Sequence, residues 1–130
     1  MSGRVVLLNA LPMSMLPWER HRSPYAATVF SITLREVEAH EIRGVVREAA
    51  REGRLLCYIR HPATVRALSK ALGVDLKPSS GLYEWEMGDI VFIVTLKRPV
   101  RGREAEEVKL EDLRIIDAEI MVMDEVDPLL

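Results

Sequence analysis

The sequence predicts an α/β domain of the α+β kind, with a mixed sheet of five or six strands and two main helices. Three observations predict it. Residues 4–9 and 54–59 are short continuous apolar runs, as expected of strands buried in a sheet. Residues 34–52 and the stretch from Pro62 to Gly73 repeat apolar residues at helical spacing. Residues 28–33 and 114–123 alternate apolar and polar, the period of a half-buried strand. At 130 residues the chain, 1–130, is read as one domain around one core.

Taken in order, residues 4–9 (Arg-Val-Val-Leu-Leu-Asn) make a first strand, central in the sheet and ending at Asn9. The short apolar run is read as this strand and not as a cleaved leader, because no small-residue cleavage site follows. Residues 10–27 are read as a long loop, since Pro12, Pro17 and Pro24 oppose regular structure. Trp18, Arg20, His21, Arg22 and Tyr25 give that loop a basic and aromatic character suited to a lid over an anion, or to a surface loop pinned by its aromatics.

A second strand over 28–33 should end at Thr33, which with Glu36 forms a capping box for the helix over 34–52. That helix puts Ala39, Ile42, Val45, Val46 and Ala49 on one face, and Gly53 closes it. His40 falls on its charged side. A strand over 54–59 follows, holding the single cysteine, Cys57, as a structural thiol. Pro62 is favoured at the first position of the next helix, whose apolar face is Val65, Leu68, Ala71 and Leu72. Residues 82–87 and 90–97 are read as a hairpin about Gly88-Asp89, with a basic loop over 98–103. A helical turn over 108–113, a last strand over 114–123 and an acidic tail over 124–130 complete the chain.

Composition narrows the function classes. One cysteine excludes a disulfide framework or a cysteine-based zinc site within the chain and suits a reducing, cytoplasmic setting. No apolar run approaches the roughly 20 residues of a spanning helix, so no membrane partner is expected. There are 14 Arg against 4 Lys, one Asn and no Gln, a pattern that fits a thermophile. The net charge of −2 conceals a gradient. Residues 1–103 hold 16 basic and 10 acidic residues, a surplus of six positive charges. Residues 104–130 hold 2 basic and 10 acidic, a surplus of eight negative charges. A basic body favours an anionic ligand.

Phosphate-loop, dinucleotide and nucleophile-elbow motifs are all missing from the sequence, and His21, His40 and His61 lack metal-ligand spacing. No metal and no cofactor are expected. His61 stands out because it ends an apolar strand and immediately precedes a proline-initiated helix. The amides of Ala63, Thr64 and Val65 would then face a phosphate beside an imidazole, with Arg60 and Arg66 near in sequence. That set suits RNA phosphodiester cleavage, in which a ribose 2′-hydroxyl attacks its own phosphate and the protein aligns, stabilises and donates a proton. A histidine that merely caps a helix is the alternative. Asn9 and Arg98 end other strands and would reach the same place.

These residues resemble a family. His61-Pro62-Ala63-Thr64, followed by Leu68-Ser69 and Leu72-Gly73, is similar to the His-x-x-Thr helix start of the ring nucleases that archaeal viruses use as type III anti-CRISPR proteins. The Leu8-Asn9-Ala10 strand end, the Gly88-Asp89 turn and the basic segment from Arg98 to Gly102 fit in the same order. The resemblance covers residues 5 to about 125. It implies a metal-independent phosphodiesterase that cleaves cyclic tetra-adenylate to linear di-adenylate. It also implies a homodimer with the ring at its interface; DNA is not an expected partner. His61 would be the catalytic general acid. Asn9, Ala10, Ser14, Arg60, Pro62, Ala63, Thr64, Arg98 and Arg101 would be substrate-binding. Two positions depart from the family: Arg101 stands where the Arg-x-x-Glu-Gly turn has Glu, and Pro12 stands where a serine is expected, with Ser14 the nearest hydroxyl. A non-catalytic dimer that sequesters cyclic oligoadenylate or RNA is the alternative these departures keep open.

Overall fold

Val5, Val6, Leu7 and Leu8 are all buried, so both faces of this four-residue strand are covered. The computed structural model describes residues 3–18, 27–98 and 108–126. The order is β1 (Val5–Leu8), β2 (Ala27–Val37), α1 (Ala39–Arg51), β3 (Leu55–Cys57), α2 (Pro62–Leu72), β4 (Ile90–Leu96) and β5 (Leu113–Val126). Single 3-10 turns lie at Met13–Met15 and Leu110–Asp112. The result is one mixed α+β domain with a five-stranded sheet in the order β2-β5-β4-β1-β3. β1 pairs in parallel with both β3 and β4, whereas β5 runs antiparallel to β4 and β2.

The two helices cover one face. Ile42, Val46 and Ala49 of α1 and Val65, Leu68 and Leu72 of α2 pack with Val5, Leu7, Phe92 and Val94. The other face is covered by loops. Val6, Leu8, Val91 and Ile93 pack against Met15, Leu16, Tyr83 and Trp85. The amide of Trp85 donates to the carbonyl of Met15 at 2.8 Å and joins the two covering segments.

Several expectations are corrected. The expected hairpin does not form, because β4 already has β1 on one side and β5 on the other. Residues 82–87 instead lie across the sheet face. Their alternation is genuine: Tyr83 and Trp85 point in, while Leu82, Glu84, Glu86 and Met87 are exposed. The Thr33–Glu36 capping box is not made either. Residues 34–37 continue β2 and pair with residues 115–118 of β5, with Arg35–Asp117 and Arg114–Glu36 ion pairs beside them. Cross-strand pairing over a long ribbon outweighs one local cap. The box forms one turn later, where the amide of Glu38 donates to the Glu41 carboxylate at 3.2 Å. β3 is shorter than the expected 54–59, and β5 extends into the expected tail as far as Val126. Within the expected loop, residues 13–15 form a turn; Arg20, His21, Arg22 and Tyr25 lie outside the described residues.

A polar clamp ties the chain's beginning to the start of β4. Asp89, its side chain 2% exposed, takes Arg4 Nε at 2.9 Å and Nη2 at 2.6 Å on its two oxygens. The Tyr83 hydroxyl and the Glu86 amide also donate to Asp89. The approach of the two segments needs glycine: a Cβ on Gly3 would lie 2.0 Å from the carbonyl oxygen of Gly88.

Replacing Asp89 with Asn leaves the half-buried Arg4 only its longer ion pair with the exposed Glu86, at 3.5 Å. Asp89→Asn is expected to cost about 2–3 kcal/mol, read from denaturant unfolding. Burial, and then the bond to Asp89, hold the Tyr83 phenol well above its ordinary value of 10.0. The folded state therefore keeps a proton that the unfolded state loses, and stability should fall as pH rises through about 10. Tyr83→Phe should flatten that fall, as measured by melts across the alkaline range; an unchanged slope would remove Tyr83 as its source.

Candidate functional site

β1 is short, and its parallel neighbour β4 runs past it. Leu8, its last residue, pairs with Ile93, and β4 continues to Leu96. On the other side the Tyr58 amide donates to Leu7, and the chain goes on through Ile59 and Arg60 to His61. A notch is left above the end of β1, at the carboxyl ends of the three parallel strands, where open α/β sheets bind ligands. Asn9, Ile59, His61, Thr64, Val94, Thr95 and Leu96 line it, with a volume of about 280 Å³.

His61 is the N-cap of α2, with extended backbone (φ −75°, ψ 113°), as a residue before proline prefers. Its Nδ1 accepts from the Thr64 amide at 3.3 Å and lies 3.1 Å from the Thr64 hydroxyl. An Nδ1 that accepts carries no proton, so in the neutral ring the proton sits on Nε2. The ring is thereby oriented as a donor through Nε2. Thr64 is itself buried, so the pairing is shielded from water. Two of the three amides expected to face a phosphate are engaged by His61 itself: Thr64 through Nδ1, and Val65 through the His61 carbonyl at 3.1 Å. The helix end offers an incoming anion correspondingly less.

A second, larger cleft of about 570 Å³ adjoins the first and shares Asn9 with it. Ala10, Ser14 and Arg60 line this cleft, so four of the expected binding residues converge there. Tyr58, Gly81, Leu82, Tyr83 and Glu84 complete its walls. Leu82, Tyr83 and Glu84 were missed in the sequence because residues 82–87 were assigned to a hairpin, and Tyr58 and Gly81 because nothing local marks them as a cleft wall. The signal that finds the first three is an alternating apolar stretch with no free strand edge to join.

The remaining candidates are placed elsewhere. Ala63 is buried in the first turn of α2, and Pro62 lines a groove beside that helix. Arg98 is exposed just beyond β4 and lines neither cleft, and Arg101 lies outside the described residues. His40 is exposed on α1. Cys57 is half-buried, and burial raises its thiol above the ordinary 9.0, the behaviour of a structural cysteine. Among the described residues no helix is long and apolar enough to cross a membrane.

Thr64→Val keeps shape but removes the hydroxyl. Nitrogen NMR of the neutral His61 ring should show the proton on Nε2 in the parent and a mixture of tautomers in the variant. An unmixed Nε2–H form in both would mean that the amide alone sets the tautomer.

No protein-family model matches the chain, and no curated protein matches it. Among solved structures its fold is similar to that of B116 of Sulfolobus turreted icosahedral virus. The TM-score is 0.66, with 89% of this chain and 98% of that chain covered, at 16% sequence identity. At that identity the likeness is one of fold.

Proposed function

We propose that this chain is a metal-independent ring nuclease that binds cyclic tetra-adenylate and opens it to linear di-adenylate, dampening type III CRISPR signalling. The observation that carries the reading is His61, fixed through Nδ1 by Thr64 and lining the notch at the carboxyl ends of three parallel strands. The fold likeness to a protein of a Sulfolobus virus agrees with the viral family that the sequence resembles.

In this reaction the ribose 2′-oxygen attacks the adjacent phosphorus, and the bond from phosphorus to the 5′-oxygen breaks. The 2′-hydroxyl proton leaves to solvent, and the departing 5′-oxygen takes the Nε2 proton of His61 in its imidazolium form, leaving a neutral ring with its proton on Nδ1 beside the Thr64 hydroxyl. The products are a 2′,3′-cyclic phosphate and a free 5′-hydroxyl. Such chemistry needs alignment and a proton donor, and no redox partner. Asn9, Ser14 and Arg60 supply hydrogen bonds and a positive charge within the adjoining cleft. Arg98 and Arg101 act, on this reading, from the basic segment after β4.

The ring has four phosphates and near two-fold symmetry, so a homodimer addresses two opposite phosphodiesters with one His61 each. The working compartment is the cytoplasm in which the messenger is made. A second reading, a dimer that sequesters the messenger without cleaving it, is favoured by Arg101, where the family turn has a carboxylate.

The test is incubation with cyclic tetra-adenylate in EDTA at elevated temperature, with products identified by mass spectrometry. The parent should yield di-adenylate, and His61→Ala should slow turnover at least a hundredfold while retaining affinity within a few-fold. Intact ring from a parent that binds it would establish sequestration; equal turnover by both would remove His61 as the acid.

A further inference from the structure

We propose that the 570 Å³ cleft is a purine-base slot, in which the base stacks on a wall made by Tyr58 and Tyr83 while its phosphate lies in the notch at His61. The proposal rests on the reading of His61 as the phosphate-facing residue and adds to it the part of the substrate that is recognised.

The wall is aromatic and close. The Tyr58 and Tyr83 ring centroids are 5.4 Å apart and tilted by 47°. Leu82, 91% exposed, stands at the rim between them, an apolar side chain that water alone does not favour there. With the two rings tilted to one another, a base face can lie on one of them, the half-buried Tyr58, and stacking on tyrosine is a common way to hold an unpaired nucleotide.

The wall is also fixed before any ligand arrives. The Tyr83 hydroxyl is held by Asp89, and the Arg4 guanidinium lies 5.8 Å from the ring centre. Tyr58 is approached closely by the backbone at Gly81: a Cβ added there would lie 3.4 Å from the ring. A side chain longer than a methyl at position 81 would lie against the Tyr58 ring and take up the slot. Gly81 has no positive φ, so such a residue meets no backbone strain.

The larger cleft is lined by one basic and one acidic residue, Arg60 and Glu84, and the notch by neither. Glu84 lines the larger one, where a carboxylate disfavours phosphate and suits the amino edge of a base. The notch has no acidic lining residue. Asn9 belongs to both, so a single nucleotide spans them with its ribose over the end of β1. A purine offers more stacking area than a pyrimidine, which sets the preferred class as an amino-bearing purine ribonucleotide.

The experiment compares adenosine 5′-monophosphate with ribose 5-phosphate, which lacks only the base, by calorimetric or NMR titration of the full chain. The parent should bind the nucleotide roughly tenfold tighter or more. Gly81→Val should bind both alike, with its ribose 5-phosphate affinity unchanged. Leu82→Ala, at an exposed position, should lose part of the preference with an unaltered melt. Equal binding of the two probes by the parent, binding of neither, or a full preference retained in Gly81→Val would overturn the slot. Ring cleavage by a parent without base preference would leave the nuclease reading standing and the slot refuted. Base preference in a parent that leaves the ring untouched and unbound would do the reverse.

Discussion

The parallel pairing of β1 with β3 and β4 is the constraint on which the rest of the molecule depends. A strand buried on both faces needs apolar residues at every position, and Val5 to Leu8 supply them. Parallel neighbours cannot be joined by tight turns, so the chain must cross over the sheet between them, as α1 and α2 do on one face. The same pairing brings the carboxyl ends of three strands to one edge. Because β1 stops at Leu8 while β4 continues to Leu96, that edge has a notch. The candidate site follows from this difference in strand length and requires no added element.

The loop-covered face explains the second cleft. With both helices on one side, the other side of the sheet must be sealed by residues 13–16 and 82–87, which carry few backbone bonds to the sheet. Their stability comes from buried Met15, Leu16, Tyr83 and Trp85 and from the Asp89 clamp. A paired, nearly buried carboxylate is an expensive way to hold a loop unless its other lone pairs are also used. Here Arg4, Tyr83 and the Glu86 amide use them, so the clamp fixes the position of the cleft wall as well as the chain's end.

Much of the fold was legible in the sequence, and the failures share one cause. β1, α2 with its proline start and Gly73 stop, and the turn before β5 were readable because each is decided locally. The start of α1 and the fate of residues 82–87 are decided by distant partners. Thr33–Glu36 satisfies the capping rule as well as Glu38–Glu41 does, and only the presence of β5 alongside tells them apart. Likewise alternation at Tyr83 and Trp85 marks a half-buried extended chain without saying that β4 has no edge left. For the site, His61, Asn9 and Arg60 were legible because strand ends and helix starts carry sequence marks, whereas Ser14 came only through the family resemblance. Tyr58 and Gly81 were not, since nothing local distinguishes a cleft wall from a core residue or a loop glycine.

The pairing of His61 with Thr64 bears on what kind of proton donor His61 would be in the proposed reaction. A carboxylate at Nδ1 would stabilise the imidazolium and hold the proton against release. A hydroxyl does not choose between the two states. It donates to Nδ1 of the neutral ring and accepts from the Nδ1–H of the charged one, over the same 3.1 Å. The amide of Thr64 can serve the neutral ring alone. Loss of the Nε2 proton from the charged ring would leave a proton on Nδ1, which the Thr64 hydroxyl can accept and the Thr64 amide cannot, so on the proposed reading the hydroxyl alone holds the ring through the transfer.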